Sequence, residues 1–555
     1  MTRSIAFVGA GPTAIYTLHA LLNRHPASSA LTIFEAQPVA GCGTPYSPGW
    51  NDPAMLANIP SIEIPPLGPS LVDWLEAQPD ARLAAMGVDR CQIDDRAFYP
   101  RLVLGNYFHD RFHALLDRAR DMAMEVTLRT RCRVVDAISA PEGMTLHIRE
   151  RSGALSEERF DHVVLATGHQ WPENPEARPG YFISPWPAAA LAAIPPCNVG
   201  IRGSSLSAID AAVALAVAHG ELVDYEDSST VYHPAERTDA FHMTMMSRKG
   251  LLPEADFFAP LPYEPLAICT AEAMEALIAA DGFLLEPAFA LFKEELAAAD
   301  PGYAEAIGLH ALQLEDFCEG YFANRANADP FDWAEQNLAE AERNYANEHV
   351  VPWRYAILRM HEVLALIVPH LDPEEYRRFN KHFKPVFVDD YATVPHASIR
   401  RMLALHRAGK LSVMAIGDDY RIDSHRPEGG AIVIAEGASH AYDVFIEATG
   451  QRPLAAKSFP FPSLLRQGVI RDAQPEAPPS ALRGIAVDDQ FHPVADAVPD
   501  DQLFCLSLPF LLGRHPFIQG ITSSHEMGEI VAEQLASALA RGASAGRGRS
   551  AEIAA

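Results

Sequence analysis

Ile5-Ala6-Phe7-Val8-Gly9-Ala10-Gly11-Pro12-Thr13-Ala14 decides the fold: an apolar β-run turns through two glycines directly into a helical pattern. That is the shape of a dinucleotide cradle. Gly9 permits the tight turn, Gly11 lets the backbone approach a pyrophosphate, and Ala14, at the third fingerprint position, allows close helix-to-strand packing. The helix expected from about Thr13 to Asn23 turns its positive end toward the phosphates. The next β-run, Leu31-Thr32-Ile33-Phe34, ends on Glu35, an acid placed to accept hydrogen bonds from a ribose diol.

Asp161-His162-Val163-Val164-Leu165-Ala166-Thr167-Gly168 and Asp443-Val444-Phe445-Ile446-Glu447-Ala448-Thr449-Gly450 are near-copies, each an apolar strand ending in Ala-Thr-Gly. A strand end that passes close to a bound dinucleotide needs small residues, which makes Thr167, Gly168, Thr449 and Gly450 candidate cofactor contacts. Two such strands point to two dinucleotide sites. The second cradle is Asn198-Val199-Gly200-Ile201-Arg202-Gly203-Ser204-Ser205-Leu206-Ser207-Ala208-Ile209-Asp210, leading into a helical run to Ala218. It departs from the standard pattern, with Ser205 as the second glycine and Ala208 as the third, and a plain strand-turn-helix stays open as the other reading. Its partner, Phe241-His242-Met243-Thr244-Met245-Met246-Ser247-Arg248-Lys249-Gly250, ends in adjacent cations where the first site carries Glu35. Arg248 and Lys249 suit a 2′-phosphate, which favours NADPH over NADH; a solvated basic turn is the alternative. The crossover from Asp210 to Arg248 is longer than usual and must contain an insertion.

The chain has 555 residues, 48% of them apolar, and a net charge of −28. A nucleic acid would be repelled by that charge, and no basic cluster offsets it. No apolar run is long enough to span a bilayer, and Met1-Thr2-Arg3-Ser4 leads straight into a core strand. A soluble, cytoplasmic protein without a signal peptide or membrane partner is therefore expected. Seven cysteines without a Cys-x-x-Cys pair argue against a disulfide framework, a structural zinc, and the dithiol flavoprotein reductases. No metal is expected.

With these features the chain resembles the two-dinucleotide flavoproteins, and among them the FAD/NAD(P)-binding monooxygenase family. The likeness is carried by Gly9-Ala10-Gly11-Pro12-Thr13-Ala14, Leu56-Ala57-Asn58-Ile59-Pro60, Tyr99-Pro100-Arg101-Leu102-Val103-Leu104-Gly105-Asn106-Tyr107, Gly203 to Asp210, and Met246-Ser247-Arg248-Lys249-Gly250-Leu251-Leu252-Pro253. The stretch Phe510-Leu511-Leu512-Gly513-Arg514-His515-Pro516-Phe517-Ile518-Gln519-Gly520-Ile521-Thr522-Ser523-Ser524-His525-Glu526 is similar to the aspartate N-monooxygenases of nitrous-acid-forming pathways. The resemblance implies an α/β fold with two Rossmann-like dinucleotide-binding domains and a helical insertion. FAD would lie on Gly9, Gly11, Pro12, Thr13, Ala14 and Glu35, and NADPH on Gly203, Ser204, Ser205, Ser207, Arg248 and Lys249. In such enzymes NADPH reduces the flavin, which traps oxygen as a C4a-hydroperoxide that an amine attacks. L-Aspartate would pass by successive N-oxidations to nitrosuccinate. The alternative is an NADPH-dependent flavin oxidoreductase, or a carbon or Baeyer–Villiger monooxygenase acting on another small substrate.

The same resemblance places Asn58 close to the flavin and Arg101 at cofactor or substrate, with the anchoring of a core carboxylate as the other reading of Arg101. Arg514 and His515 sit in the turn before Gly520-Ile521-Thr522-Ser523-Ser524, whose serines are placed to cap the following helix and aim its N-terminus at the flavin. Asn58, Arg514 and His515 are thus the catalytic candidates, and Ser523 and Ser524 join the cofactor set. A small amino acid in an acidic protein needs local cations. Arg354, Lys381 and His396, from the helical insertion and its exit, are named with Arg514 for that task. For the first three, a surface cation or a satisfied core histidine is the competing reading. Small amine and molecular oxygen are the expected partners, and a homo-oligomer is left open.

Domain limits follow the cradles. The FAD-binding domain takes 1–195, breaks at Ile183-Ser184-Pro185-Trp186-Pro187 and Ile194-Pro195-Pro196, and resumes over 450–540. The NADPH-binding domain fills 196–449, interrupted at about 265–385 by the helical insertion, where 271–278 and 353–361 read as amphipathic helices. A Gly, Ser, Ala and Arg tail, 541–555, is expected to be disordered.

Overall fold

Strand Arg3–Val8 is the centre of the first of two sheets that organise the chain. The computed structural model describes residues 3–553 apart from 27–28, 173, 226–228, 281, 475–482, 496–500 and 519, with side chains to Arg541. It divides into two compact units: Met1–Ser47, Ile59–Gln170 and Gln451–Ala555 form one, and Pro48–Asn58 with Trp171–Gly450 form the other.

In the first unit the strand order is Leu503–Cys505, His162–Leu165, Arg3–Val8, Ser29–Glu35, Glu125–Thr130, and every pairing is parallel. Parallel strands covered on both faces need continuous apolar runs, which is why Ile5, Ala6, Leu31, Val163 and Val164 are all fully buried. Helix Pro12–Asn23 follows the first strand and packs on the long helix Ile521–Ile553. A side chain at Gly528 would meet Thr17 N at 2.8 Å, so glycine lets these helices approach. The backbone of Ile521–Ile553 stays helical through the stretch expected to be disordered; its Ala and Arg residues are good helix formers. Residues 554–555 of that tail lie outside the described residues.

In the second unit the order is Leu411–Ala415, His242–Ser247, Asn198–Arg202, Val444–Glu447, Tyr181–Phe182, Glu176–Arg178, parallel except for the last pair. The long segment of this unit runs from Trp171 rather than from the expected 196, because Tyr181 and Phe182 pair with Phe445 and Ile446 and carry the preceding strand into the second sheet. The long crossover before Arg248 holds the hairpin Gly220–Asp224 and Thr230–Pro234. Between His242–Ser247 and Leu411–Ala415 comes the helical insertion, whose helices run from Ala271 to Arg407. Part of it is core to the sheet: Phe331, Ala334, Leu338 and Ala341 of helix Pro330–Ala346 share a buried cluster with Val199, Ile201 and Met243. Another part has its own aromatic core, in which Phe292 meets Phe317, Phe383 and Phe387 at 5.0–5.6 Å.

Candidate dinucleotide sites

Gly9 ends the first strand with φ +105°, a region that favours glycine, and a Cβ there would lie 2.2 Å from Ala166 O. Its N–H donates to Phe34 O at 2.8 Å, while Ala166 N–H donates to Val8 O at 2.9 Å. The turn is thereby pinned between two strands. Gly11 is the N-cap of helix Pro12–Asn23, without a side-chain cap and without an acid in the first turn. An uncapped first turn at the positive helix end is of a kind that suits an anion. Glu35 faces this turn: Oε2 accepts from Ala10 N at 3.2 Å and Oε1 from Gln37 N at 2.8 Å. Burial raises its carboxyl above the usual range, against the lowering pull of those backbone bonds.

The second cradle repeats the construction. Gly203 has φ +132°, and a Cβ there would lie 2.3 Å from Ala448 O and 3.4 Å from the Ala208 methyl. Its N–H donates to Met246 O at 2.8 Å, and Ala448 N–H donates to Arg202 O at 2.8 Å. Gly9, Phe34 and Ala166 thus correspond to Gly203, Met246 and Ala448. This correspondence puts Ser247 in the place of Glu35, which the sequence did not reveal. Ser205 is the N-cap of helix Leu206–His219, extended and without a side-chain cap hydrogen bond. Ser204 and Ser207 flank it, half-buried. Arg248 and Lys249 extend beyond Ser247 at the end of the strand next to the cradle, both exposed. The Arg248 guanidinium lies 3.7 Å from Asp418, and the two are 63% and 82% exposed, so the pair is weak. Beneath the cradle, Arg202 donates to Glu447 at 2.8 Å and to Tyr420 Oη at 2.6 Å, and Tyr181 Oη donates to Glu447 at 2.7 Å. This tie between strands Asn198–Arg202 and Val444–Glu447 has no counterpart at Val8 and Leu165.

The FAD-NAD(P)-binding family matches residues 6–170, and the YdhS-like middle domain matches residues 270–391. Protein YdhS of Escherichia coli (strain K12) is 42% identical over 534 residues, covering 96% of this chain and 97% of that one. The chain belongs to the YdhS family. Among solved structures it is similar to an ornithine hydroxylase from Pseudomonas aeruginosa, with 12% identity, a TM-score of 0.49, and 97% and 99% of the two chains covered. It is also similar to the L-lysine 6-monooxygenase from Pseudomonas syringae, with 14% identity, a TM-score of 0.45, and 98% and 99% covered. The YdhS-like middle domain falls on the helical insertion.

Other residues named from sequence have varied placements in this YdhS-family chain. Thr167 and Gly168 continue the first Ala-Thr-Gly strand; Thr167 Oγ1 lies 2.8 Å from Ser507 Oγ, and Gly168 has φ +65°. Thr449 and Gly450 occupy the same place in the second unit, Gly450 with φ +78°. Arg101 opens helix Arg101–Asp121, and its charge bears on His169, which sequence reasoning missed. Burial, with Arg101 added, pushes the His169 imidazole down to about 4. Its position directly after Gly168 was the available signal. Ser523 and Ser524 lie inside the first turn of Ile521–Ile553 rather than at its cap. Ser524 Oγ is 3.1 Å from Thr13 Oγ1 and both are buried, so these hydroxyls join the two helices. Arg514 donates to Asp489 at 2.6 Å, while burial and Arg514 push His515 down to about 4. Asn58 is exposed and belongs to the second unit, through a segment held by Arg401, which donates to Ala54 O at 2.6 Å.

The three insertion cations do not converge. Arg354 is buried against Glu254, which also receives Arg325 Nη1 at 3.3 Å and Trp333 Nε1 at 2.8 Å. Against the cost of burial, the two guanidiniums hold Glu254 down at about 2. Arg354 is thus a core ion-pair member, and its partner lies far away in sequence. His396 stacks edge-on against Tyr345 and contacts Asp256 O at 2.8 Å. Lys381 is an exposed residue of the π-turn Phe379–Phe383. Asp390, in the same network as Arg354, is 1% exposed with neither oxygen hydrogen-bonded among the described residues. Burial raises its carboxyl well above the usual range.

Proposed function

We propose that this chain is an FAD- and NADPH-dependent N-hydroxylating monooxygenase of small amines, with FAD on the Gly9 cradle and NADPH on the Gly203 cradle. The observation that carries the reading is the repeated cradle with different polar ends: Glu35 at the first, Ser247 followed by Arg248 and Lys249 at the second. A carboxylate suits the unmodified ribose diol of FAD, whereas a hydroxyl with two cations tolerates and attracts a 2′-phosphate. The helix N-termini at Gly11 and Ser205, neither with a side-chain cap, are where the two pyrophosphates would sit.

Bound FAD supplies hydride acceptance and the activation of oxygen. The chain would contribute binding, orientation and exclusion of water. His515 is neutral at physiological pH, and its buried Nε2 has no hydrogen-bond partner among the described residues. Burial and Arg514 make it a weak base, so it would orient by hydrogen bonding rather than carry a proton. The sequence has no Cys-x-x-Cys pair to serve as a dithiol outlet, and burial with Glu35 pushes the cradle-side Cys42 thiol up to about 11.

L-Aspartate, with nitrosuccinate as product, is the amine that the 510–526 resemblance favours. Arg514 is the cation retained for its carboxylates: its partner Asp489 is 84% exposed, so that pair is weak, whereas Arg354 is buried against Glu254. NADPH oxidation measured with and without L-aspartate, together with a nitrite assay, tests the reading. Consumption should rise with the amine and nitrite should accumulate. A full rate without any amine, or no nitrogen oxide from a panel of amino acids and diamines, would leave an NADPH-dependent flavin oxidoreductase instead.

A further inference from the structure

The Arg248-Lys249 turn is braced from outside its own sheet. Lys249 Nζ lies 4.4 Å from the centroid of the Phe322 ring, and Phe322 belongs to helix Leu314–Ala326 of the middle domain. The ring is itself fixed. Arg325 Cζ lies 5.2 Å from the same centroid, and its guanidinium is ion-paired to Glu254 and Asp389. Tyr321 meets Phe322 edge-on at 4.8 Å and donates to Asp389 at 3.0 Å. One turn before Phe322, the buried Cys318 thiol feels both Lys249 and Arg248, so this helix face runs along the cationic turn.

The kind of contact matters. A lysine anchored by a carboxylate is neutralised and spends its donors. One anchored on an aromatic face keeps its full charge and leaves its N–H groups for another acceptor. Exposed lysines are otherwise spread over many rotamers, and binding must pay to order them. We infer that Phe322 is a positioning residue for recognition of a 2′-phosphate: the middle domain pre-places Lys249, so an element outside the dinucleotide fold helps select NADPH over NADH. This rests on the reading of Arg248 and Lys249 as the 2′-phosphate site.

The experiment titrates 2′,5′-ADP and 5′-ADP into the FAD-loaded full chain by calorimetry. Phe322→Leu keeps apolar bulk and removes the π face. It should weaken 2′,5′-ADP roughly three- to fivefold and leave 5′-ADP unchanged. Phe322→Tyr should bind as the wild type does. Lys249→Met should reproduce the loss, and adding Phe322→Leu to it should cost nothing more, because the two act as one unit. The inference is overturned if Phe322→Leu binds both probes normally, weakens both alike, or is matched by Phe322→Tyr, or if its effect adds to that of Lys249→Met. Arg248→Ala separates the two levels. If it leaves 2′,5′-ADP binding intact, the 2′-phosphate reading itself fails; if it weakens binding while Phe322→Leu does not, only the role of Phe322 fails.

Discussion

Replacing Arg354 with methionine separates a core role from a substrate role. Arg354 is 7% exposed and Glu254 is 4% exposed, so the substitution strands a carboxylate that is held at about 2 in the native protein. Removing one partner of a buried pair costs about 3–5 kcal/mol. Glu254 keeps Arg325 at 3.3 Å and Trp333 at 2.8 Å, which places the loss at the lower end, about 3 kcal/mol. At about 2 °C per kcal/mol for a unit of this size, the melting temperature should fall by about 6 °C. Adding Glu254→Gln removes the stranded charge and should recover part of the loss. Thermal unfolding of the FAD-loaded chain measures both variants, with the amine KM determined on the same preparations. An unchanged melting temperature with a KM raised about tenfold would refute the core assignment and return Arg354 to the substrate.

Gly9→Ala and Gly203→Ala place a methyl 2.2 Å and 2.3 Å from Ala166 O and Ala448 O at positive φ. The first should lose bound flavin absorbance. The second should keep it while nucleotide affinity drops about tenfold or more, since the left-handed backbone alone costs about 1–2 kcal/mol; loss of flavin in both or in neither would contradict the assignment of the two cradles. Asp390→Asn should stabilise. Because the folded carboxyl of Asp390 is raised, the wild type holds a proton that the unfolded chain releases, and its stability falls by up to about 1.4 kcal/mol per pH unit as pH rises above the usual carboxylate range. Urea midpoints should therefore show the advantage of Asp390→Asn growing from pH 5 to pH 8, and a constant difference would speak against the buried acid.

The two sheets were legible because buried parallel strands write themselves as unbroken apolar runs, and because Ala166-Thr167-Gly168 repeats as Ala448-Thr449-Gly450. What pairing decides was not legible. Strand Tyr181–Phe182 is too short to show a period, and its place depends on Phe445 and Ile446, far along the chain. The match of Ser247 with Glu35 emerges only from the hydrogen bonds of Gly9 and Gly203 to Phe34 and Met246. Arg354 looked available because a cation on an amphipathic helix reveals nothing of a partner such as Glu254, a hundred residues earlier. For Asn58, adjacency in sequence to Ile59 concealed that the chain changes unit between them.

The pairing of Met243 with Leu411 also sets an order of events during folding. The first sheet begins with near neighbours, Arg3–Val8 beside Ser29–Glu35. The second cannot complete its pairing of His242–Ser247 with Leu411–Ala415 until the whole insertion has been synthesised and a very long loop has closed. Until then one part of the sheet stays bare, because Phe331, Ala334 and Leu338, which cover it, come from that same loop. The middle domain thus acts as a clock: completion of the second sheet is gated by its arrival, and a chain truncated within it would present an uncovered apolar sheet to the surroundings.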